Sequence, residues 1–281
     1  MTAAPSPARS PSDGESLQAY HDPMNRAAHL HIRHQGDGPV IVLSHALGVD
    51  SAMWDDVADI LSDHHAVVCF DHRGHGLSEC PPGPYGMADL VEDTAQMIQA
   101  HFPKGVVFVG LSLGGMVGQL LAAEHPSLVR RLVVAHAPSF VASGQTAWPE
   151  RIAAVEQSGM AAVADATLTR WFTEGFRAQT HGVAPERLAR VRASLLACNP
   201  QGYVAACHAV AGFDARSHLA QIQCPSLVLG GRHDVGTPLL QSKALCEALP
   251  SARMVTLEAA HLSAVEQPEV FAQEILQFLE S

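Results

Sequence analysis

The sequence predicts an α/β protein with a mostly parallel sheet, helices on both faces of the sheet and a helical insertion. Short, continuously apolar segments recur along the chain, as in strands buried on both faces of a sheet. They are Val40–Leu43, Ala66–Phe70, Val106–Val109, Leu132–Val134 and Ser226–Leu229. Stretches with apolar residues at helical spacing lie between these segments, which is typical of parallel strands joined by crossover helices.

The two ends of this pattern are also recognisable. Polar and apolar residues alternate in His29–Arg33, as in a half-exposed edge strand. Near the other end, Pro268 suits the first turn of a helix. The apolar stripe of that helix is formed by Phe271, Ile275 and Phe278.

The alternation stops between residues 138 and 213, where no segment is convincing as a strand and several helices are predicted. One of them ends at Asn199–Pro200, and its apolar face is formed by Leu188, Val191, Leu195 and Leu196. A helical insertion in a parallel α/β domain commonly forms a lid over the substrate pocket. The alternative is a helical excursion without contact to substrate.

The composition suits one large globular unit, since 47% of the 281 residues are hydrophobic and 16% are charged. Residues 1–15 are rich in Pro, Ser and Ala and are expected to form a disordered tail. We therefore divide the chain into this tail, an α/β core of residues 16–137 and 214–281, and a helical lid of residues 138–213.

Charge and cysteine content restrict the partners and the compartment. A net charge of -11 argues against nucleic acid or an anionic membrane as partner, because both need a basic surface. The six cysteines are scattered without a C-x-x-C pair, so we expect free thiols. The sequence has neither the apolar core of a signal peptide nor a run long enough to span a bilayer, so a cytoplasmic location is expected.

A candidate nucleophile follows the strand Val106–Val109. Gly110-Leu111-Ser112-Leu113-Gly114 has the pattern G-x-S-x-G between a buried strand and a helix, which is the context of a nucleophile elbow. Such a turn exposes the hydroxyl of Ser112 and aims the N-terminus of the helix at a developing oxyanion. The alternative is a serine that caps the helix.

A serine hydroxyl needs a general base and an acid that orients this base. His261 follows the predicted strand Arg253–Leu257, and Asp234 follows Ser226–Leu229, in the chain order Ser, acid, His. The other place for the acid, after Leu132–Val134, has Ala135-His136-Ala137-Pro138 and no carboxylate. The alternatives are a surface histidine and an aspartate at a helix start.

The oxyanion is expected to bind two backbone N–H groups. Leu113 supplies one, and the loop after Val40–Leu43 supplies the other, from Leu47 or from Ala46. His72 and His75 lie in a glycine-rich turn, which explains their spacing without a metal. No G-x-G-x-x-G follows the first strand, so we expect neither a metal nor a dinucleotide cofactor.

Together these residues resemble the α/β-hydrolase superfamily, and within it the chain looks most similar to the 3-oxoadipate enol-lactonases. The similar segments are Asp71–Ser78, Pro81–Tyr85, Gly110–Gln119, Trp148, Arg151–Val155, Arg170–Phe172, Asn199–Tyr203 and Ala260–Pro268. Two positions at the pocket depart from the family: His45–Ala46 replaces the usual His-Gly or Asn-Ser, and Leu113 stands where methionine is common. Because both positions border the pocket, the natural ester could differ from the lactone that those enzymes hydrolyse.

The resemblance implies a serine hydrolase without cofactor that opens 3-oxoadipate enol-lactone in the degradation of protocatechuate and catechol. This small molecule carries a carboxylate, and the resemblance suggests Trp148 as a pocket residue, with Arg151 as a second candidate. The alternatives on the same triad are a carboxylesterase, a perhydrolase or a carbon–carbon bond hydrolase. A ligand-binding protein that kept the fold without turnover is a further alternative.

Overall fold

The computed structural model describes residues 28–142 and 147–281. Its strands are β1 (Ile32–Gln35), β2 (Val40–Ser44), β3 (Ala66–Phe70), β4 (Val106–Leu111), β5 (Val129–Ala135), β6 (Ser226–Gly231) and β7 (Ala252–Leu257). They form one sheet in the order β1-β3-β2-β4-β5-β6-β7. Only β1 runs antiparallel to its neighbour, which confirms the predicted mostly parallel sheet.

Most helices of the described part lie between these strands in the chain, and the last two follow the last strand. They are α1 (Asp55–Leu61), α2 (Met87–His101), α3 (Leu113–Glu124), α4 (Ala147–Ser158), α5 (Ala161–Trp171), α6 (Glu174–Arg177), α7 (Ala184–Ala197), α8 (Pro200–Ala211), α9 (Leu239–Ala248), α10 (Ser263–Glu266) and α11 (Pro268–Glu280).

Helices cover both faces of the sheet. Successive side chains of a strand point to opposite faces, and alternate residues of β2 accordingly belong to different apolar clusters. Val42 packs in the cluster that contains the buried side of α2 and α3. Ile41 and Leu43 pack in the cluster that contains α1 and α11. The continuous apolar runs of the sequence therefore reflect burial on both sides.

The edge strand begins three residues later than predicted from His29–Arg33. The ladder between β1 and β3 extends from the pair Ile32–Phe70 to the pair Gln35–Val67. Before it, the N–H of His31 donates to Ser78 Oγ at 2.8 Å, and the N–H of His29 donates to a carboxylate oxygen of Glu79. These side-chain acceptors replace strand pairing, so the predicted start of the strand was wrong.

Helices α4 to α8 lie between β5 and β6 in the chain and contact one another. Val191 and Leu195 of α7 are buried, whereas Leu196 is 38% exposed, so Leu196 was wrongly included in the predicted apolar face. Asn199 accepts a hydrogen bond from the N–H of Gln201 at 2.9 Å and caps α8. The lid range of residues 138–213 stays a prediction.

Three other expectations concern the whole chain. The predicted tail of residues 1–15 lies outside the described residues. All six cysteines are free thiols. Among residues 28–142 and 147–281, no helix has both the length and the apolar character that a membrane crossing needs.

Candidate active site

Ser112 lies at the turn between β4 and α3, at the carboxyl edge of the sheet. Its backbone adopts φ 56° and ψ -112°, a left-handed conformation that is rare for residues other than glycine. Its N–H donates to the carbonyl of Ala135 at 2.9 Å, which ties the turn to β5. The side chain makes no capping hydrogen bond, which argues against the alternative of a helix-capping serine.

The two glycines of this turn are needed for close packing. A Cβ atom at Gly110 would overlap the carbonyl oxygen of Gly114, and one at Gly114 would overlap the carbonyl oxygen of Ser44. The N–H of Gly114 also donates to the carbonyl of His45 at 3.1 Å. The glycines thus bring the start of α3 against the end of β2.

Asp234 and His261 come from the loops after β6 and β7 and form a hydrogen bond of 2.7 Å between Asp234 Oδ2 and His261 Nδ1. The other oxygen, Oδ1, accepts from the N–H groups of Gly236 at 2.9 Å and Thr237 at 2.8 Å. Burial raises the pKa of Asp234, but the neighbouring imidazoles outweigh burial and hold this pKa well below its usual range. The carboxylate is therefore ionised and accepts hydrogen bonds only.

Ser112 and His261 open onto one cavity of about 260 Å³. No hydrogen bond joins the Ser112 hydroxyl to the His261 imidazole among the described residues. The ring of Trp171 stacks on His261 with 6.1 Å between centroids. A larger cavity of about 690 Å³ lies between Pro81–Pro84 and α8, but it is lined by none of the nucleophile, acid or base candidates. We take the smaller cavity as the site.

The loop after β2 offers one free N–H group at the expected place. The N–H of Ala46 is directed at Met53 Sδ at 3.4 Å, and the N–H of Gly48 donates to His75 Nε2 at 3.0 Å. Within the described ranges, the N–H groups of Leu47 and Leu113 have no acceptor. This arrangement favours Leu47 over Ala46 as the second oxyanion donor.

His72 and His75 support this loop through hydrogen bonds. His72 Nε2 lies 2.8 Å from Ser44 Oγ, and His75 accepts the Gly48 N–H. Burial lowers the pKa of His75 to about 3 and also lowers the pKa of His72, so both are neutral near pH 7.

Two functional candidates were missed from the sequence. Arg170 lines the cavity together with Trp148, Arg151 and Trp171. It belongs to the segment Arg170–Phe172 that carries the family resemblance, and this was the available signal. His136 Nδ1 lies 3.0 Å from Asp234 Oδ2. Its signal was its position at the end of β5, where the sequence lacks a carboxylate.

His136, Asp234 and His261 also have the residue types of a metal site. One potential ligand atom of each lies within 4.8 Å of the others. Both imidazoles direct Nδ1 at the same carboxylate oxygen, at 3.0 and 2.7 Å. Hydrogen bonding therefore accounts for this cluster.

Both arginines of the cavity lack a carboxylate partner among the residues that the structure describes. The guanidinium of Arg151 lies 4.9 Å from the centroid of the Trp148 ring. Burial lowers the pKa of Arg170, and the positive charge of Arg151 lowers it further. The cavity therefore carries two half-buried positive charges whose mutual repulsion an anionic group would relieve.

The fold and the geometry of the cavity define a class of protein. A family model described as the alpha/beta hydrolase fold matches residues 39–268. The chain therefore belongs to the α/β-hydrolase family and is a hydrolase.

Individual relatives are more specific. The chain is 34% identical to 3-oxoadipate enol-lactonase 2 of Acinetobacter baylyi, over 84% of this chain and 87% of that protein. The crystal structure of the enol-lactonase from Burkholderia xenovorans LB400 superposes with a TM-score of 0.86 at 34% identity, over 90% of this chain and 97% of that one. A pimeloyl-(acyl-carrier protein) methyl ester esterase of Vibrio vulnificus is 30% identical, over 89% and 97% of the two chains.

Proposed function

We propose that this protein is a serine hydrolase that opens 3-oxoadipate enol-lactone through an acyl-enzyme. The strained turn at Ser112, beside the bonded pair of Asp234 and His261, supports the serine mechanism. The pair of cavity arginines without a carboxylate partner supports an anionic substrate, and this observation carries the proposal beyond a general esterase. The similarity to 3-oxoadipate enol-lactonase 2 of Acinetobacter baylyi points to the same lactone.

In the first half of the reaction, Ser112 Oγ attacks the lactone carbonyl carbon while its proton passes to Nε2 of His261. Asp234 accepts a hydrogen bond from the Nδ1–H of His261 and stabilises the imidazolium that forms. The N–H groups of Leu47 and Leu113 bind the oxyanion, and loss of one such donor costs roughly a hundredfold or more in rate. The ring C–O bond then breaks, and the leaving enolate takes up the proton held by His261 and becomes a ketone, which leaves His261 neutral for the second half.

In the second half, water attacks the carbonyl carbon of the acyl-enzyme. His261 removes a proton from this water and returns it to Ser112 Oγ as the ester bond breaks. The product leaves with two carboxylates, one from the opened lactone and one that the substrate already carried.

The carboxylate of the substrate is bound by Arg151 and Arg170 of the lid. A guanidinium offers several N–H donors in a plane, which suits a carboxylate. An anion at this place also relieves the repulsion between the two cations. The Trp148 indole packs against the bound lactone and offers an N–H donor.

We expect purified wild-type protein to hydrolyse freshly generated 3-oxoadipate enol-lactone with far higher kcat/KM than the neutral ester p-nitrophenyl acetate. Ser112→Ala is expected to lose about 10⁴-fold or more in kcat on both substrates, because it removes the nucleophile. Initial rates at pH 7.5 measure both effects.

The two parts of the proposal fail in different ways. Cleavage of the ester alone, still abolished in Ser112→Ala, would contradict the lactone while retaining the serine mechanism. Activity of Ser112→Ala close to wild type would contradict the mechanism. Binding of the lactone without release of product would indicate a ligand-binding protein.

A further inference from the structure

His136 contacts the proposed catalytic acid from the neighbouring strand. It follows β5 with a backbone φ of 50°, and its N–H donates to the carbonyl of Leu229 at 2.9 Å. The imidazole is buried, with Nδ1 3.0 Å from Asp234 Oδ2 and Nε2 2.6 Å from Ser263 Oγ. The reaction as proposed assigns no step to this side chain.

The chemistry of the groups determines which atoms carry protons. An ionised carboxylate only accepts hydrogen bonds, so His136 donates to Asp234 through Nδ1–H. A neutral imidazole with its proton on Nδ1 has a lone pair on Nε2, and this lone pair accepts from the hydroxyl of Ser263. Burial lowers the pKa of His136, which favours the neutral form. Hydrogen bonds therefore run from Ser263 to His136 and from His136 to Asp234.

The carboxylate of Asp234 thus accepts four N–H donors. Gly236 and Thr237 bind Oδ1, while His136 and His261 share Oδ2. The two backbone donors come from the loop of Asp234 itself. His136 directly follows β5, so its hydrogen bond ties the carboxylate to the end of a different strand of the sheet.

We propose that His136 is a positioning residue of this hydrolase: it orients the Asp234 carboxylate and limits the negative charge that Asp234 presents to His261. This inference rests on the proposed function, since it requires that Asp234 orients the general base. Besides Asp234 and His261, the titratable group that acts on the His136 imidazole is Glu266. Glu266 accepts the N–H of Ala260 at 3.1 Å.

Loss of the His136 donor has two consequences. The carboxylate loses one of four restraints, so the orientation of His261 is less well defined and kcat falls. More negative charge also remains on Oδ2, which stabilises protonated His261. A protonated imidazole cannot act as general base, so the acidic limb of the kcat/KM profile moves to higher pH.

Two variants separate these effects from packing. Asparagine and glycine both tolerate the left-handed backbone at position 136. The amide of His136→Asn retains an N–H donor close to the place of Nδ1, whereas His136→Gly has none. We expect His136→Gly to lose about tenfold or more in kcat/KM at the pH optimum. Its acidic limb should move up by about half a pH unit or more.

For His136→Asn, by contrast, we expect kcat/KM within about threefold of wild type and an unchanged acidic limb. Proton NMR provides a direct test of the bonds. Wild type should show two downfield imidazole N–H resonances, from His136 and His261, and His136→Asn should retain one. This measurement does not depend on the stability of His136→Gly, whose folding is checked by circular dichroism.

Equal loss of activity in both variants with the wild-type acidic limb would overturn the inference, because it would indicate packing alone. The inference would also be overturned if His136→Gly had the kcat/KM and the acidic limb of wild type. A single downfield imidazole N–H resonance in wild type would overturn it as well. Ser112→Ala is assayed alongside. If Ser112→Ala is active, the proposed function itself is contradicted. If Ser112→Ala is inactive but His136→Gly and His136→Asn have the same kcat/KM and the same pH profile, only the role of His136 is contradicted.

Discussion

The candidate cavity has two sides: a core side, formed by loops that follow strands of the sheet, and a lid side, formed by α4 and α5 of the predicted lid. The two sides are held in place differently. On the core side, Ser112, Asp234 and His261 follow strands of the sheet, and backbone N–H groups bind the Asp234 carboxylate. On the lid side, the residues on α4 and α5 are only half-buried, and the guanidinium of Arg151 packs on the ring of Trp148; the four residues are Trp148, Arg151, Arg170 and Trp171.

This difference suggests that the core side carries out the reaction and that the lid side selects the substrate. Bond breaking needs reacting groups positioned within fractions of an ångström, which a sheet edge provides. Substrate choice depends on complementary charge and shape. Both can be changed by substituting side chains on a helical surface without disturbing the reacting groups. Substitutions on the core side should therefore affect all substrates alike, and substitutions on the lid side should affect only those that carry a charge.

The largest effect is expected on the core side. Asp234→Asn should lower kcat by about 10⁴-fold on the lactone and on p-nitrophenyl acetate alike, because a neutral amide neither selects the His261 tautomer nor stabilises its positive charge. Steady-state rates on both substrates measure this. A loss restricted to the lactone would break the comparison, because it would mean that Asp234 acts on substrate charge.

A smaller and selective effect is expected on the lid side. The double variant Arg151→Met, Arg170→Met should raise KM for the lactone about tenfold to a hundredfold, through loss of charge-assisted hydrogen bonds. Its kcat, and its kcat/KM for the neutral ester, should change little. Methionine retains the apolar stem of arginine.

Arg192→Met provides the matched control for this double variant. Arg192 lies on α7, where its guanidinium forms an exposed ion pair with Asp165 at 3.2 Å. It does not line the cavity, so KM for the lactone should stay at the wild-type value. An equal loss on the neutral ester in the double variant would indicate a general distortion of the lid.

The smallest effect concerns stability on the core side. Burial lowers the pKa of His75 to about 3, below the 6.5 of an unperturbed histidine. The stabilisation from keeping His75 neutral is thus complete above pH 6.5 and is lost as the pH falls toward 3. The free energy of unfolding should decrease by up to about 1.4 kcal/mol for each pH unit in this window.

Urea unfolding at pH 7, 6 and 5 isolates this contribution as the difference between wild type and His75→Gln. The variant should show the shallower dependence on pH. His181→Gln, at an exposed position of the predicted lid, is the control and should match wild type. Equal slopes for His75→Gln and wild type would contradict a neutral, buried His75.

Much of the fold and of the core side was predictable from local patterns. Apolar runs marked the strands, and G-x-S-x-G after one of them marked the turn at Ser112. Asp234 and His261 were predictable because each follows a strand, and parallel strands end at the same edge of the sheet. The start of β1 was predicted wrongly, because Ser78 and Glu79 bind the backbone before Ile32.

Other features depend on contacts between distant segments. Whether Ala46 or Leu47 has a free N–H depends on where Met53 Sδ lies, seven residues away from Ala46. Arg170 and Arg151 lie on different helices, so their shared cavity follows from how α4 packs on α5. No local sequence pattern indicates that these two arginines line the same cavity.

The sequence by itself therefore determined the class of fold and the order of its elements, and it indicated three candidate residues for a serine mechanism, because periodicity and turn chemistry are local properties of the chain. The tertiary structure alone brought His136 to Asp234, across 98 positions, and placed two cations in one cavity. These contacts arise when separate elements pack to bury their apolar faces, and such packing is set by the whole chain.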